Sequence, residues 1–349
     1  MPSPPSDEQI VAALRRIAYP GYSRDLVSFG LVKGVEVHDD RNVIVTVQLP
    51  PGDPGKGRAV EEAIREQLGA LEGVASVEVR AAPPPAAPAA GPAVSTQEVP
   101  GVRNLVAVAS GKGGVGKSTL AVNLAVALAG QGVRTGLLDS DVYGPSIPLM
   151  MGIHEQPDTD GERILPLENH GVRTMSIGYL LGGDDAPVIW RGPMIVKALT
   201  QFLREVAWGE LDYLVIDLPP GTGDAVLTLV QSVPLAGAVV VTTPQDVALI
   251  DAKKAVSMFR KTGVPILGIV ENMSVYVCPS CGHRDAIFGE GGGKREAERL
   301  GVPFLGEIPL EPRVRVGGDE GTPITVADPE SPVSRAFDRI AAALRQEAP

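Results

Sequence analysis

Two textures of hydrophobic patterning divide the chain. Over residues 1–80, "DEQIVAALRRI" and "GRAVEEAIREQLGAL" carry apolar residues at helical spacing, whereas "VKGVEVHDD", "NVIVTVQLP" and "VASVEVR" alternate like half-buried strands. That order predicts a small α+β domain. From residue 102 to 349 the texture changes to short, nearly continuous apolar runs, "NLVAVAS", "TGLLDS", "YLVIDL", "GAVVVTT" and "ILGIVEN", separated by helical stretches. Strands apolar on both faces suit a mostly parallel sheet covered by helices on both sides, so the larger domain is expected to be α/β. Between them, residues 81–101 ("AAPPPAAPAAGPAVSTQEVPG") are dominated by Ala and Pro without an apolar period and read as a semi-extended linker. The helix after the first α/β strand is legible from Lys117 to Ala129, with Leu120, Leu124 and Leu128 on one stripe and Gly130 and Gly132 as its stop. Near the C-terminus, "SPVSRAFDRIAAALRQ" puts Phe337, Ile340 and Leu344 on one face. Its few, mixed charges favour packing on the sheet over contact with a membrane.

Composition narrows the function classes. With 349 residues and 44% hydrophobic content, a sizeable core is expected. The net charge of −11 opposes polyanions, so neither nucleic acid nor an anionic membrane is an expected partner. The segment "MPSPPSDEQI" lacks a basic stretch followed by an apolar one, and no apolar run approaches the roughly 18 to 20 residues that cross a bilayer. A soluble, cytoplasmic protein is expected. Cys278 and Cys281 are the only cysteines, which excludes a disulfide framework and turns attention to metal binding or redox chemistry.

"GKGGVGKS" satisfies G-x-x-x-x-G-K-[ST] directly after an apolar strand and at the opening of a helix, where a phosphate-binding loop must sit. Gly111, Lys112, Gly113, Gly114, Val115, Gly116, Lys117, Ser118 and Thr119 are the expected nucleotide contacts. Backbone N–H groups face phosphate oxygens, Lys117 neutralises the β and γ phosphates, and Ser118 holds Mg²⁺. Asp217, ending "YLVIDL", is the candidate for the Mg²⁺ shell, and "PPGTGD" after it can sense the γ-phosphate through Gly221 and Gly223. In "LLDSDVYGPS", Asp141 is assigned to orient the attacking water and Asp139 to support the metal's water shell. No N-K-x-D guanine-reading motif occurs, and Asn272 in "ENMS" is the candidate adenine contact.

Cys278 and Cys281 lie in C-x-x-C spacing inside "VCPSCGH", where Pro279 and Gly282 shape a tight turn. Two thiolates are half of a four-ligand shell, and a symmetric dimer would complete it. A redox disulfide, a zinc site shared between subunits with His283 joining, and a bridging iron-sulfur cluster all remain open, because the spacing does not decide among them.

The extra lysine in K-G-G-x-G-K-[ST] resembles the deviant Walker A form of a family of dimerising ATPases that includes septum-site and partition ATPases, arsenite-pump ATPases and the nitrogenase iron protein. The resemblance implies that Lys112 reaches across a face-to-face dimer to the partner's nucleotide, adding positive charge at the transition state. "DSDVYGPSIP", "PVIWRGPM", "DLPPGTGD", "TTPQDVALID", "ENMS" before the C-x-x-C, and "FGEGGG" resemble the Mrp/ApbC-type iron-sulfur cluster carrier ATPases over roughly residues 100–345. The N-terminal segments "LVSFGLVKGVEV" and "LEGVASVEVR" resemble the accessory domain of iron-sulfur assembly proteins, but "LPPGDPGKGR" lacks the cysteine that domain often carries. What this implies is a P-loop NTPase acting as a slow, homodimeric ATPase with ATP and Mg²⁺. A cluster of the four-iron four-sulfur (4Fe-4S) type would bridge the Cys278 and Cys281 pairs of the dimer and pass to apoproteins, with cluster-assembly proteins as further partners. A positioning or partition ATPase is the main alternative; it would want a basic or amphipathic tail and no metal knuckle. A zinc-bridged ATPase dimer, an electron-transfer reductase and a scaffold that binds ATP without hydrolysis are the others.

Overall fold

The computed structural model describes residues 5–17, 25–28, 31–38, 41–47, 54–81, 98–180, 192–278 and 280–348. The chain divides into two units, Met1–Ala93 and Val94–Pro349. Residues 82–97 of the expected linker and 187–191 of "PVIWRGPM" lie outside the described residues, as do Pro279 and residues 49–53 of the cysteine-free segment.

In the N-terminal unit, α1 (Asp7–Leu14) starts from a capping box in which Ser6 N–H donates to Gln9 Oε1 and Gln9 N–H donates to Ser6 Oγ. Strands β1 (Val32–Val37) and β2 (Asn42–Val47) pair antiparallel, as their shared alternation predicts. The next strand, β3 (Ser76–Ala81), pairs parallel with β2, and the helix α2 (Pro54–Gly69) supplies the crossover that a parallel pair requires. Ile10, Leu14, Val43, Val45, Ile64 and Leu68 form its buried centre.

The second unit runs β4 (Val102–Ser110), α3 (Lys117–Gly130), β5 (Thr135–Asp139), α4 (Ile147–Met150), β6 (Leu167–Asn169), β7 (Val172–Ser176), α5 (Gly192–Glu205) and β8 (Leu211–Asp217). It continues with α6 (Asp224–Ser232), β9 (Gly237–Thr242), α7 (Asp246–Thr262), β10 (Ile266–Val277), β11 (Arg284–Asp285), α8 (Gly292–Leu300), β12 (Phe304–Leu310), α9 (Pro312–Asp319), α10 (Ile324–Ala327) and α11 (Pro332–Glu347). The sheet order is β11-β10-β9-β4-β8-β5-β7-β6, with β12 also on β10. Strands β7, β5, β8, β4, β9, β10 and β12 are all parallel, and the short β6 and β11 are antiparallel additions. The expected α/β architecture is therefore present, and the five quoted apolar runs are β4, β5, β8, β9 and the first part of β10.

One element is longer than its apolar run. Strand β10 continues past Asn272 to Val277, because β12 pairs along one stretch of it and β11 folds back on its end. The cysteine pair thus sits in the turn that joins the end of β10 to β11.

Helix α11 buries Phe337, Ile340 and Leu344 completely and packs on α3 and β12. Among the described residues no helix is long and apolar enough to cross a membrane. Phe337→Ala should lower unfolding free energy by about 3–5 kcal/mol in chemical denaturation, the usual cost of emptying a buried phenylalanine site.

Candidate functional site

Strand register assembles the site. Asp139 at the end of β5 lies opposite Asp217 at the end of β8, and Val108 of β4 lies opposite Asp217 on its other side. Side chains at paired positions point to the same face, so two carboxylates meet beside the turn that leaves β4. That turn has no room for side chains at two places. A Cβ on Gly111 would stand 2.1 Å from the Asp251 carbonyl oxygen, and one on Gly116 would stand 2.1 Å from Asn272 Nδ2, with Gly116 also in left-handed backbone at φ 86°. Ser110 Oγ donates to the Lys112 carbonyl at 2.8 Å and fixes the start of the loop. Helix α3 begins after Gly116 with no side-chain cap and no acidic residue in its first turn, which leaves its N–H groups and dipole open to an anion.

Lys117, 7% exposed, donates to Asp217 Oδ1 at 2.6 Å and to Ser118 Oγ at 3.3 Å. Asp217 is fully buried; burial pushes its carboxyl up and the Lys117 ammonium pulls it back. Its second oxygen, Oδ2, is buried without a hydrogen-bond partner. An unpartnered carboxylate oxygen in a buried position is costly unless a ligand completes it. A hard oxygen donor close to Ser118 fits a magnesium ion, so Asp217 and Ser118 are the residues that could hold one.

Asp139 is buried too, and its carboxyl is pushed up to about 7, first by burial and then by the charge of Asp217. Its oxygens accept from Asp141 N–H at 3.1 Å, Ile147 N–H at 3.3 Å and Ser176 Oγ at 2.9 Å. This carboxylate shapes the loop from Asp141 to Ile147, a use of the side chain that the sequence did not suggest. Asp141 is half-buried; burial raises its carboxyl and the charge of Lys117 lowers it. The Gly221 N–H donates to the Ser110 carbonyl at 2.9 Å, laying the "PPGTGD" turn against the end of β4. Lys112 is half-buried.

Asn272 is 8% exposed and donates through Nδ2 to the Val115 carbonyl at 2.9 Å, so its amide braces the phosphate loop. It also lines a cavity of about 330 Å³ with Gly116, Thr119, Pro309, Leu310 and Glu311. The last three residues were not singled out from the sequence, although the "IPLEP" stretch that ends an apolar run was a visible signal. A second omission is Glu271, fully buried, which accepts from the N–H groups of Gly291 (3.2 Å) and Gly293 (2.5 Å) at the start of α8. Burial raises this carboxyl and those N–H groups lower it. In "FGEGGG", a Cβ on Gly293 would stand 3.0 Å from the Glu271 Cβ, and one on Gly292 would stand 2.5 Å from the Pro244 carbonyl oxygen. Directly after Asn272, Met273 adopts left-handed backbone at φ 58°, which costs a residue with a Cβ about 1–2 kcal/mol. Pairing with β12 is irregular there, jumping from Asn272–Ile308 to Tyr276–Leu310.

At the tip, Tyr276 and Val277 pair with Asp285 and Arg284. Cys278 N–H donates to the His283 carbonyl at 2.9 Å, and Gly282 N–H donates to the Cys278 carbonyl at 2.8 Å. Cys278 is partly exposed and Cys281 exposed. Hydrogen bonds from the backbone of Ser280 and Cys281, then the Cys281 thiol, hold the Cys278 thiol below its ordinary range and favour the thiolate. Among the described residues no group of three or more His, Cys, Asp or Glu could hold a metal ion.

Residues 101–345 match the family described as NUBPL iron-transfer P-loop NTPase, and residues 7–79 match the family described as iron-sulfur cluster assembly protein. The iron-sulfur cluster carrier protein of Aquifex aeolicus is 43% identical over 359 residues, covering 97% of each chain. The Escherichia coli (strain K12) protein of the same name is 55% identical over 250 residues, covering 70% of this chain and 68% of its own. A nucleotide-binding protein from Archaeoglobus fulgidus, solved in complex with ADP, is 41% identical with a TM-score of 0.59 and covers 68% of this chain and 92% of its own. The Pyrococcus furiosus cell division ATPase MinD is 26% identical with a TM-score of 0.51, covering 70% and 99%. With its phosphate loop, its aspartates at neighbouring strand ends and these likenesses, the chain belongs to the family of NUBPL iron-transfer P-loop NTPases, joined to an iron-sulfur cluster assembly domain.

Proposed function

We propose that this protein is an ATP-hydrolysing iron-sulfur cluster carrier, working as a cytoplasmic homodimer that holds its cargo between subunits and delivers it to apoproteins. The observation that carries the reading is the Cys278–Cys281 knuckle, in which the Cys278 thiol favours the thiolate, at the end of the strand that also braces the phosphate loop. One chain supplies two sulfur ligands, and the usual iron-sulfur or zinc shell needs four. A twofold axis through the knuckle supplies the other pair at no cost in new sequence. The names of the relatives favour iron-sulfur over zinc as the cargo.

The roles of the nucleotide site follow from its charges. Lys117 is paired with Asp217. A triphosphate in the loop competes for that ammonium, and Asp217 is then free to join Ser118 in holding Mg²⁺, which would screen phosphate charge. Asp141 orients the attacking water, and Asp139 sets the loop that carries Asp141. Lys112 reaches the partner's triphosphate, so that turnover depends on dimer geometry. The base occupies the cavity walled by Asn272 and Pro309. The N-terminal domain, without a cysteine, docks partners rather than holding cargo.

Three outcomes test this assignment. Replacing Cys278 and Cys281 together with Ala should abolish anaerobic reconstitution of iron and sulfide while nucleotide titrations stay unchanged; cluster absorbance surviving in the double variant refutes the ligand assignment, and zinc without sulfide in the wild type replaces the cargo. Lys112→Ala should slow phosphate release on the order of 100-fold while leaving nucleotide affinity within a few-fold, as expected for a charge that acts at the transition state. For Asp139 the folded carboxyl titrates at about 7 against 3.8 unfolded, so the folded state binds the proton more tightly between those values. The stability from that proton is complete below the unfolded value and is lost as pH rises towards 7. Thermal melts of nucleotide-free protein from pH 4 to 8 should therefore fall over this window, and Asp139→Asn should flatten the fall.

A further inference from the structure

We propose that Asn272 is a positioning residue that transmits the state of the phosphate loop to the Cys278–Cys281 hairpin, with Met273 as the joint between them; the proposal deepens the carrier reading and rests on it. The amide of Asn272 bonds the Val115 carbonyl at 2.9 Å and lies against the backbone of Gly116, where any Cβ would collide with it. The loop therefore cannot change shape between Val115 and Lys117 without moving this amide or breaking its bond. On the other side, Asn272 follows a fixed point. Glu271 is buried, paired with Thr242 of β9, and bonded to Gly291 and Gly293 at the start of α8. Displacement at Asn272 is thus directed forward along the strand.

The next residue is the one built to yield. Met273 holds a left-handed backbone that side chains with a Cβ disfavour, and regular pairing with β12 lapses from Asn272 until Tyr276. Beyond the lapse the structure is stiff again. Tyr276 and Val277 pair with β11, and Cys278 N–H is tied to the His283 carbonyl, so both sulfurs move as one piece. A strained joint between two braced segments is the form a two-position element takes.

Because the chain has only two cysteines, thiol alkylation reports on the hairpin alone. The test uses cluster-free, full-length protein with Mg²⁺ and a non-hydrolysable ATP analogue at saturation. Protein concentrations are set so that sedimentation gives the same oligomeric state with and without the analogue. The analogue should change the alkylation rate of Cys278 and Cys281 about fivefold or more in the wild type, the lower end of ordinary coupling between sites. In Asn272→Ala and Asn272→Asp, each verified as saturated by titration, the change should drop below about twofold. Met273→Gly keeps the amide but removes the left-handed penalty, and it should lose the change as well; if the Asn272 variants fail to fold, this variant decides. An unaltered response in any folded variant, or none in the wild type, overturns the proposal. Iron and sulfide reconstitution of the wild type is measured alongside. Its failure would remove the carrier reading, while the thiol rates would still decide whether loop and hairpin are coupled.

Discussion

A lysine and two carboxylates share a pocket that water barely reaches, and most of the larger unit can be understood as the means of holding them there. Parallel register puts Asp139 and Asp217 on neighbouring strand ends, and the helix that follows the glycine loop aims Lys117 at Asp217. One ammonium cannot satisfy both. The desolvation of a buried carboxylate is repaid only by close, well-directed partners, and Asp217 has such a partner on one oxygen only. Asp139 turns instead to backbone N–H groups and Ser176, and its proton affinity rises. On the proposed reading, the pocket suits a ligand that would bring negative phosphates to Lys117 and a dication to Asp217.

The second constraint is numerical. A knuckle with two sulfurs cannot close a tetrahedral site, and nothing among the described residues adds a third ligand. Placing the pair just past the end of β10, on the same strand whose middle braces the phosphate loop, links the two unfinished sites through one strand. On the proposed carrier reading, each is finished from outside the chain: the loop by a triphosphate and the partner's Lys112, the knuckle by the partner's thiols.

What could be read from the sequence was what depends on local spacing. The period of two in β1 to β3 against the period near 3.6 in α1 and α2 separated strands from helices, and the glycine loop followed its strand where the motif requires. Asp217 was legible because an apolar run that ends in Asp places the carboxylate at the sheet edge. Contacts set by register and by side-chain reach were not legible. Asp139 was read as support for a metal's water shell, and its bonds to the loop that follows leave no local trace. Asn272 was read as a base contact, and the bond to Val115, 157 residues away in sequence, leaves no local trace. Nor did the sequence foretell that β10 continues through a left-handed methionine, since that conformation interrupts the regular pattern by which strands are recognised.

On the proposed reading, sharing the cargo between symmetric halves would have an energetic consequence that a site enclosed in one chain would lack. If each chain contributes two of four ligands, the affinity for the cluster depends on how the two hairpins face each other, so a small rotation weakens ligation from both sides at once. A ligand shifts such an arrangement only by its difference in affinity for the two states. Couplings between sites are typically about 1–3 kcal/mol, a factor of roughly 5 to 150. That range is small against the affinity needed to keep a cluster, yet large enough to change which of two competing sites holds it. On the proposed reading a carrier needs no more than this, because the recipient's own ligands would supply the remaining driving force, and a slow ATPase would be sufficient to reset a dimer between deliveries.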